Sequence, residues 1–283
     1  MHIFITGAPK AGKSTLLKQI VAQQPAAQGC LVEALYDSGH QRTGFVIRYF
    51  PHRRETILAS RLESRLESHL ENSLKKYSDH RVGKYSVNLK GIEEEMIPFL
   101  YTLEATLEAN LIIFDEIGRM QHQSLLFLPA LDRLLKTQNT LVATILEDDE
   151  PWARPYKNNP ESFYVHITKD TREIWFEIVT LMLHHRHTFD TLTKEQQRKV
   201  VILFQKYAAD QAFPSIQKLF KKALNYVARA RYQDHSVLGE HGEYSINKNP
   251  EKNNPECSCT FFKKHHKDCS HIQTLKIGGT IEC

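Results

Sequence analysis

Two stretches of this chain carry residue types and spacing that could do chemistry, and they lie at opposite ends. Residues 7–15 read Gly-Ala-Pro-Lys-Ala-Gly-Lys-Ser-Thr, which sets Gly7 and Gly12 five positions apart with Lys13 and Ser14 directly after. Glycines at those places let the backbone turn its N–H groups inward. A lysine next to them brings charge to terminal phosphate oxygens, and a serine hydroxyl can complete a Mg²⁺ shell. The pattern predicts a loop that binds a nucleoside triphosphate with Mg²⁺, built from Gly7, Ala8, Pro9, Lys10, Ala11, Gly12, Lys13, Ser14 and Thr15. The helix that follows aims its N-terminal dipole at the same anion.

At the other end the order is Cys257-x-Cys259, nine residues, then Cys269-x-His271. Three thiolates and one imidazole suit a tetrahedral structural Zn²⁺ site. So short a segment cannot build its own core, so the metal would supply its folding energy. His265 and His266 are competing donors in principle, although the paired frame favours His271. Cys283 has no obvious partner. Lys263, Lys264 and Lys267, between the ligand pairs, suit phosphate contacts, which points to a nucleic-acid or protein partner. The cluster His184-His185-x-His187 reads as a polar helix end, because it has no cysteine or carboxylate in ligand spacing.

A further pair of carboxylates ends the apolar run Leu111-Ile112-Ile113-Phe114. Asp115 is placed to hold Mg²⁺, and Glu116 to orient or polarise an attacking water. Arg119 and Arg172 are the candidates for steadying charge that develops on the γ-phosphate. The Thr144 hydroxyl is a candidate γ-phosphate sensor.

The elements that must position these residues alternate between strand and helix. Strands are expected at 2–6, 29–36, 44–49, 109–114, 140–145 and 164–167, with helices at 13–23, 92–108, 124–136 and 171–185. Residues 61–76 carry leucine at 62, 66, 70 and 74, one apolar edge on a charged helix. The fold class is therefore α/β: a mostly parallel sheet with helices on both faces over 1–184, a helical appendage over 185–234, a linker over 235–256 and the small zinc-binding segment over 257–283. In the appendage Thr193 is the expected cap of one helix and Ser215 of the next. The polar, Gly-, Asn- and Pro-containing composition suggests the linker.

With these blocks in order, the chain resembles a known family. Asp115-Glu116-Ile117-Gly118-Arg119-Met120 is similar to the acidic block of the small nucleoside-triphosphatases of thermophiles, called cancer-related nucleoside-triphosphatases in vertebrates. The start Ile5-Thr6-Gly7 onward, Arg42-Thr43-Gly44-Phe45 and Arg81–Val87 agree with it. The resemblance covers residues 1 to about 180. It implies a RecA-like fold of the P-loop NTPase type and Mg²⁺-dependent hydrolysis of several nucleoside triphosphates, ATP and GTP among them. It carries Gly7, Gly12, Lys13, Ser14 and Thr15 to phosphate and metal, and Asp115 and Glu116 to catalysis. Gln121 departs from the family's usual Glu, and Thr168-Lys169-Asp170-Thr171-Arg172 from its Thr-x-x-Asn-Arg segment. The terminal segment, with Phe261-Phe262 and Lys263-Lys264, resembles the SWIM zinc finger, a module associated with nucleic-acid or protein binding.

Composition sets the outer bounds. Of 283 residues 41% are hydrophobic and 25% charged, which is ordinary for a globular chain. No apolar run reaches the roughly 18 residues of a membrane span, and the N-terminus lacks a signal peptide, so the expectation is a soluble cytoplasmic protein without membrane partners. Five cysteines, four of them in the last 27 residues, fit a metal site better than a disulfide framework. Net charge is −2 over residues 1–180 and +6 over 181–283, an asymmetry that suits a polyanion near the C-terminus. Two other functions share these features: a P-loop kinase, for which Arg53-Arg54 would begin a lid, and a nucleotide-switched nucleic-acid-binding protein without turnover.

Overall fold

The computed structural model describes residues 1–61, 80–105, 111–208, 213–233, 235–249, 254–279 and 281. The expected leucine-edged helix over 61–76 and Cys283 therefore lie almost wholly outside the described residues. The chain divides into two compact units, Met1–Arg172 and Glu173–Cys283, so the first ends before the expected position 184.

In the first unit the elements run β1 (His2–Thr6), α1 (Lys13–Gln23), β2 (Gln28–Tyr36), β3 (Arg42–Phe50), β4 (Arg54–Arg61), β5 (Arg81–Val82) and β6 (Tyr85–Val87). Helix α2 follows in three pieces, with a π-helical Ile92–Met96 between Leu89–Gly91 and Ile97–Glu104. Then come β7 (Leu111–Ile117), α3 (Phe127–Leu135), β8 (Thr140–Ile145), α4 (Arg154–Lys157) and β9 (Ser162–His166). The nine strands form one sheet in the order β5-β6-β4-β3-β2-β7-β8-β1-β9. From β2 to β9 every pairing is parallel, and β3, β4, β6 and β5 extend the β2 edge antiparallel.

Alternation along the central strands sorts the core into two faces. Phe4, Ile112, Phe114, Leu141 and Ala143 share one apolar cluster with Ile92, Met96 and Leu100 of α2 and Leu131 and Leu134 of α3. Their neighbours Ile3, Ile5, Ile113 and Val142 are equally buried and face the other way. Helix α1, which packs on β2, β7 and β8, buries Leu16, Leu17 and Ile20. Each such side chain stabilises the fold by about 1.5–3 kcal/mol. Burial on both faces is why β7 and β8 read as continuous apolar runs.

The sheet differs from expectation at its antiparallel edge. Arg54 starts β4 rather than a lid, and its Nη2 donates to Glu95 Oε2 at 2.9 Å. The charged residues Arg54, Glu55 and Arg61 mask the alternation in this strand.

The second unit holds α5 (Arg172–His184, whose first residue closes unit one), α6 (Arg186–Asp190), α7 (Lys194–Ala208) and α8 (Phe213–Ala228). Thr193 caps α7 reciprocally: its hydroxyl accepts from the Gln196 N–H at 3.2 Å, and the Gln196 side chain accepts from the Thr193 N–H at 3.0 Å. Because α8 begins at Phe213, Ser215 falls inside it rather than at its cap. Residues 235–256 are not a plain linker. They carry β11 (Ser236–Gly239), β12 (Gly242–Asn249) and most of β13 (Asn254–Cys257), which with β10 (Tyr232–Gln233) form a four-stranded sheet. Backbone ladders do not depend on apolar composition. Two buried residues, Val237 and Ile246, tie this sheet to Ile272 and Leu275. Helices α9 (Thr260–His265) and α10 (Ser270–Gly278) complete the chain. No helix of the described residues is long and apolar enough to cross a membrane.

Candidate active site

The loop between β1 and α1 lies at the C-terminal ends of parallel strands, the usual position for ligands in open α/β sheets. Gly7 has φ +145° and a Cβ there would lie 2.2 Å from the Ile167 carbonyl oxygen, so only glycine fits. Gly12 precedes α1 in the left-handed region at φ +105°. The Lys13 ammonium donates to the carbonyls of Gly7 at 2.6 Å and Ala8 at 3.1 Å, which holds its charge at the mouth of the loop.

β7 supplies the carboxylates. Asp115 is buried and accepts a hydrogen bond from the Thr144 hydroxyl of β8, and the Ser14 hydroxyl of α1 and the Val32 N–H of β2 stand near enough to favour its charged form. Burial raises its pKa, and these donors together with the charge of Lys13 oppose the rise. Thr144 is thus fully buried, and its hydroxyl donates to the Asp115 carboxylate. Thr144→Val is expected to cost about 1–3 kcal/mol, because a buried carboxylate loses a donor. A thermal melt checks this, and an unchanged midpoint would mean that another group serves Asp115.

The β7–β8 register shifts between Phe114 and Ile117, which re-aims the side chains in between. Glu116 is only partly buried and lines a cavity of about 240 Å³ with Gly7, Pro9 and Lys13. Burial first, and then the neighbouring Asp115, push its carboxyl up to about 7, against the pull of Lys13. Such a group gains base character near neutral pH.

The two expected arginines diverge. Arg119 lines the same cavity, but its guanidinium donates to Glu150 at 2.8 Å and pairs with Asp148 at 2.9 Å. Arg172 instead crosses the loop: its Cδ would lie 3.0 Å from a Cβ built on Gly12. Thr168 and Thr171 set up this turn, each N–H donating to the other's hydroxyl. Sequence reasoning missed the contribution of Gln121. It is buried beside Glu116, and its Oε1 and the Glu116 Cδ each lie 3.2 Å from the point where a Cβ on Gly118 would stand. The departure from the family's Glu was the available signal.

A family model described as NTPase matches residues 2–180. The chain belongs to this NTPase family. The nucleoside-triphosphatase THEP1 of Thermotoga sp. (strain RQ2) is 30% identical over 187 residues, which covers 66% of this chain and 98% of that protein. Its counterpart from Aquifex aeolicus (strain VF5) is 30% identical over 190 residues, with 65% and 99% covered. The crystal structure of THEP1 from the hyperthermophile Aquifex aeolicus aligns with a TM-score of 0.52 at 29% identity, over 63% of this chain and 96% of that one. A solution structure of a human cancer-related nucleoside triphosphatase shares the fold, with a TM-score of 0.51 at 24% identity over 64% and 96%. The matched family span ends well before Cys257.

In the second unit of this NTPase-family chain, Cys257, Cys259, Cys269 and His271 bring their donor atoms within 4.8 Å of one another. His271 Nδ1 stands 3.7 Å from Cys257 Sγ and 3.8 Å from Cys269 Sγ. The three cysteines are buried and free of disulfides. Donor identity and spacing fit one tetrahedral ion. The His271 ring stacks on Tyr244 at 4.2 Å, and Gly239 admits it, since a Cβ there would lie 2.7 Å from Nε2. His265 and His266 stand outside the cluster, their rings against Phe261 and Phe262. His184, His185 and His187 form no metal-binding group among the described residues.

Proposed function

We propose that the chain hydrolyses nucleoside triphosphates to diphosphate and phosphate. The observation that carries this reading is the convergence of Lys13, Ser14, Asp115 and Glu116 at one loop. Ser14 and Asp115 would hold Mg²⁺, which when bound supplies positive charge to the phosphate oxygens. Lys13 neutralises the terminal phosphates, and the loop N–H groups orient them. Glu116 takes a proton from water as the water oxygen bonds to the γ-phosphorus. The bridging P–O bond breaks, and its electron pair leaves with the diphosphate. The alkyl stem of Arg172 lies over Gly12, which supports Arg172 as the residue steadying the transferring group, with Arg119 held in its ion pairs. Phosphate release from ATP, GTP, CTP and UTP with Mg²⁺ tests the reading. Lys13→Ala should lower release about 10²–10³-fold. Nucleotide binding without release from any of the four would overturn the reading.

The second unit is read as a zinc site that holds a nucleic-acid-binding surface. Its support is a cavity of about 590 Å³ in which Lys218, Lys222 and Lys267 stand among Tyr226, Tyr244 and Phe261. Cations that track a backbone, interleaved with aromatic platforms, suit single-stranded nucleic acid. Binding of an oligouridylate should weaken steeply with salt, with a log–log slope near −0.7 per phosphate neutralised, and Lys218→Ala should flatten that slope. A salt-independent or absent interaction would leave a protein partner as the reading.

A further inference from the structure

Hydrolysis needs room for one water molecule, whose share of liquid volume is about 30 Å³. The cavity at Lys13 and Glu116 measures about 240 Å³, and much of its wall is apolar. Val32 of β2, Phe45 of β3, Leu58 of β4, Val82 of β5 and Met120 form that side. These residues come from the strands that extend the sheet antiparallel beyond the parallel core, apart from Val32 on β2, which joins the two, and Met120 in the turn after β7.

The polar end of this cavity carries a matched pair of groups. Gln121 is 1% exposed, lines the cavity, and its amide nitrogen has no hydrogen-bond partner among the described residues. A buried donor left in that condition costs about 1–3 kcal/mol. The Gln121 amide oxygen and the Glu116 carboxyl carbon each lie 3.2 Å from the point where a Cβ on Gly118 would stand, so the amide and the carboxylate share one wall. A donor beside an acceptor is what one hydroxyl group requires: its oxygen accepts from Gln121 while its hydrogen is given to Glu116.

We propose that this cavity binds a small alcohol with an apolar body, and that the site transfers the γ-phosphoryl group to that hydroxyl in competition with water. This rests on the reading of the loop as a nucleoside-triphosphate site. The alcohol oxygen bonds to the γ-phosphorus as the bridging P–O bond breaks. The bridging electron pair leaves on the nucleoside diphosphate, and the hydroxyl proton passes to Glu116. The products are a phosphate monoester and the diphosphate, with no oxidant or reductant involved. Gln121 and the apolar walls determine which acceptor is used.

The test follows phosphorus by ³¹P NMR with the full-length protein, Mg²⁺ and ATP, adding methanol, 1-propanol or benzyl alcohol at equal molarity. The ester-to-phosphate ratio is expected to be at least tenfold higher with benzyl alcohol than with methanol. Val82→Phe, which fills the apolar side, should bring the benzyl alcohol ratio down to that of methanol. Phosphate release with no ester, or with a ratio indifferent to the alcohol, overturns the acceptor site and leaves hydrolysis standing. Saturation-transfer NMR of benzyl alcohol tests the cavity apart from turnover. A signal that Val82→Phe removes supports the site even if no phosphate is released, an outcome that would count against the hydrolysis reading alone. No signal with the wild-type chain overturns the site.

Discussion

Replacing Glu116 by glutamine is expected to lower phosphate release by about 10²–10⁴-fold, the range that general-base catalysis contributes. The change keeps the volume of the side chain but removes its capacity to take a proton. The hydrogen bond from Thr144 to Asp115 stays, since it does not run through Glu116. Nucleotide affinity should therefore stay within a few-fold, which a fluorescent nucleotide titration checks beside a single-turnover assay. Burial and the adjacent Asp115 hold the Glu116 carboxyl near 7, above the ordinary glutamate range. The base form thus accumulates as pH rises through neutrality, so the wild-type rate should climb over that interval, and the glutamine variant should lose the climb. Retained turnover would place the base elsewhere. Lost affinity would make Glu116 a structural residue instead.

The second large effect is on stability. Cys269→Ser removes one of four converging donors from the second unit, and the apparent binding energy of a structural zinc in such a site is about 10–16 kcal/mol. That figure matches the whole stability of a typical domain, about 5–15 kcal/mol. The cluster is also central to local packing, because Cys257, Cys259 and Cys269 share one apolar core with Val237, Ile246, Ile272 and Leu275. The variant is expected to lose one equivalent of zinc and the cooperative melt of residues 173–283. Elemental analysis and a thermal scan read both, and a strong chelator should reproduce the loss in the unaltered chain. Each residue assigned to phosphate and base lies within Met1–Arg172, so hydrolysis is the internal control. Full metal-free stability of the second unit would show that its core suffices by itself.

Much of the first unit was legible from local pattern. Helix α1 begins and ends where the spacing places it, and β1, β2 and β8 match within a residue. These elements are long, strongly apolar and bounded by glycine or polar turns, so one short-range signal dominates each. The antiparallel edge was harder to read. β5 and β6 have two and three residues, and they become strands by pairing with each other and with β4 across a long sequence separation. Likewise, the polar run after residue 235 reads as a linker until β11 and β12 pair and Val237 and Ile246 find the core of the second unit.

The sequence by itself determined the chemistry that is encoded in contiguous spacing: the loop around Lys13, the Asp115-Glu116 pair, and the paired cysteines ending in His271. Such motifs are readable because their donors are separated by a few residues, and chain geometry alone limits where they can point. Only the tertiary structure decided which of two arginines lies against the loop, why Thr144 serves Asp115, and that Gln121 stands buried beside Glu116. Those relations join β1, β7, β8 and the turn before α5. They depend on packing between residues far apart in the chain, and a single sequence does not record such packing.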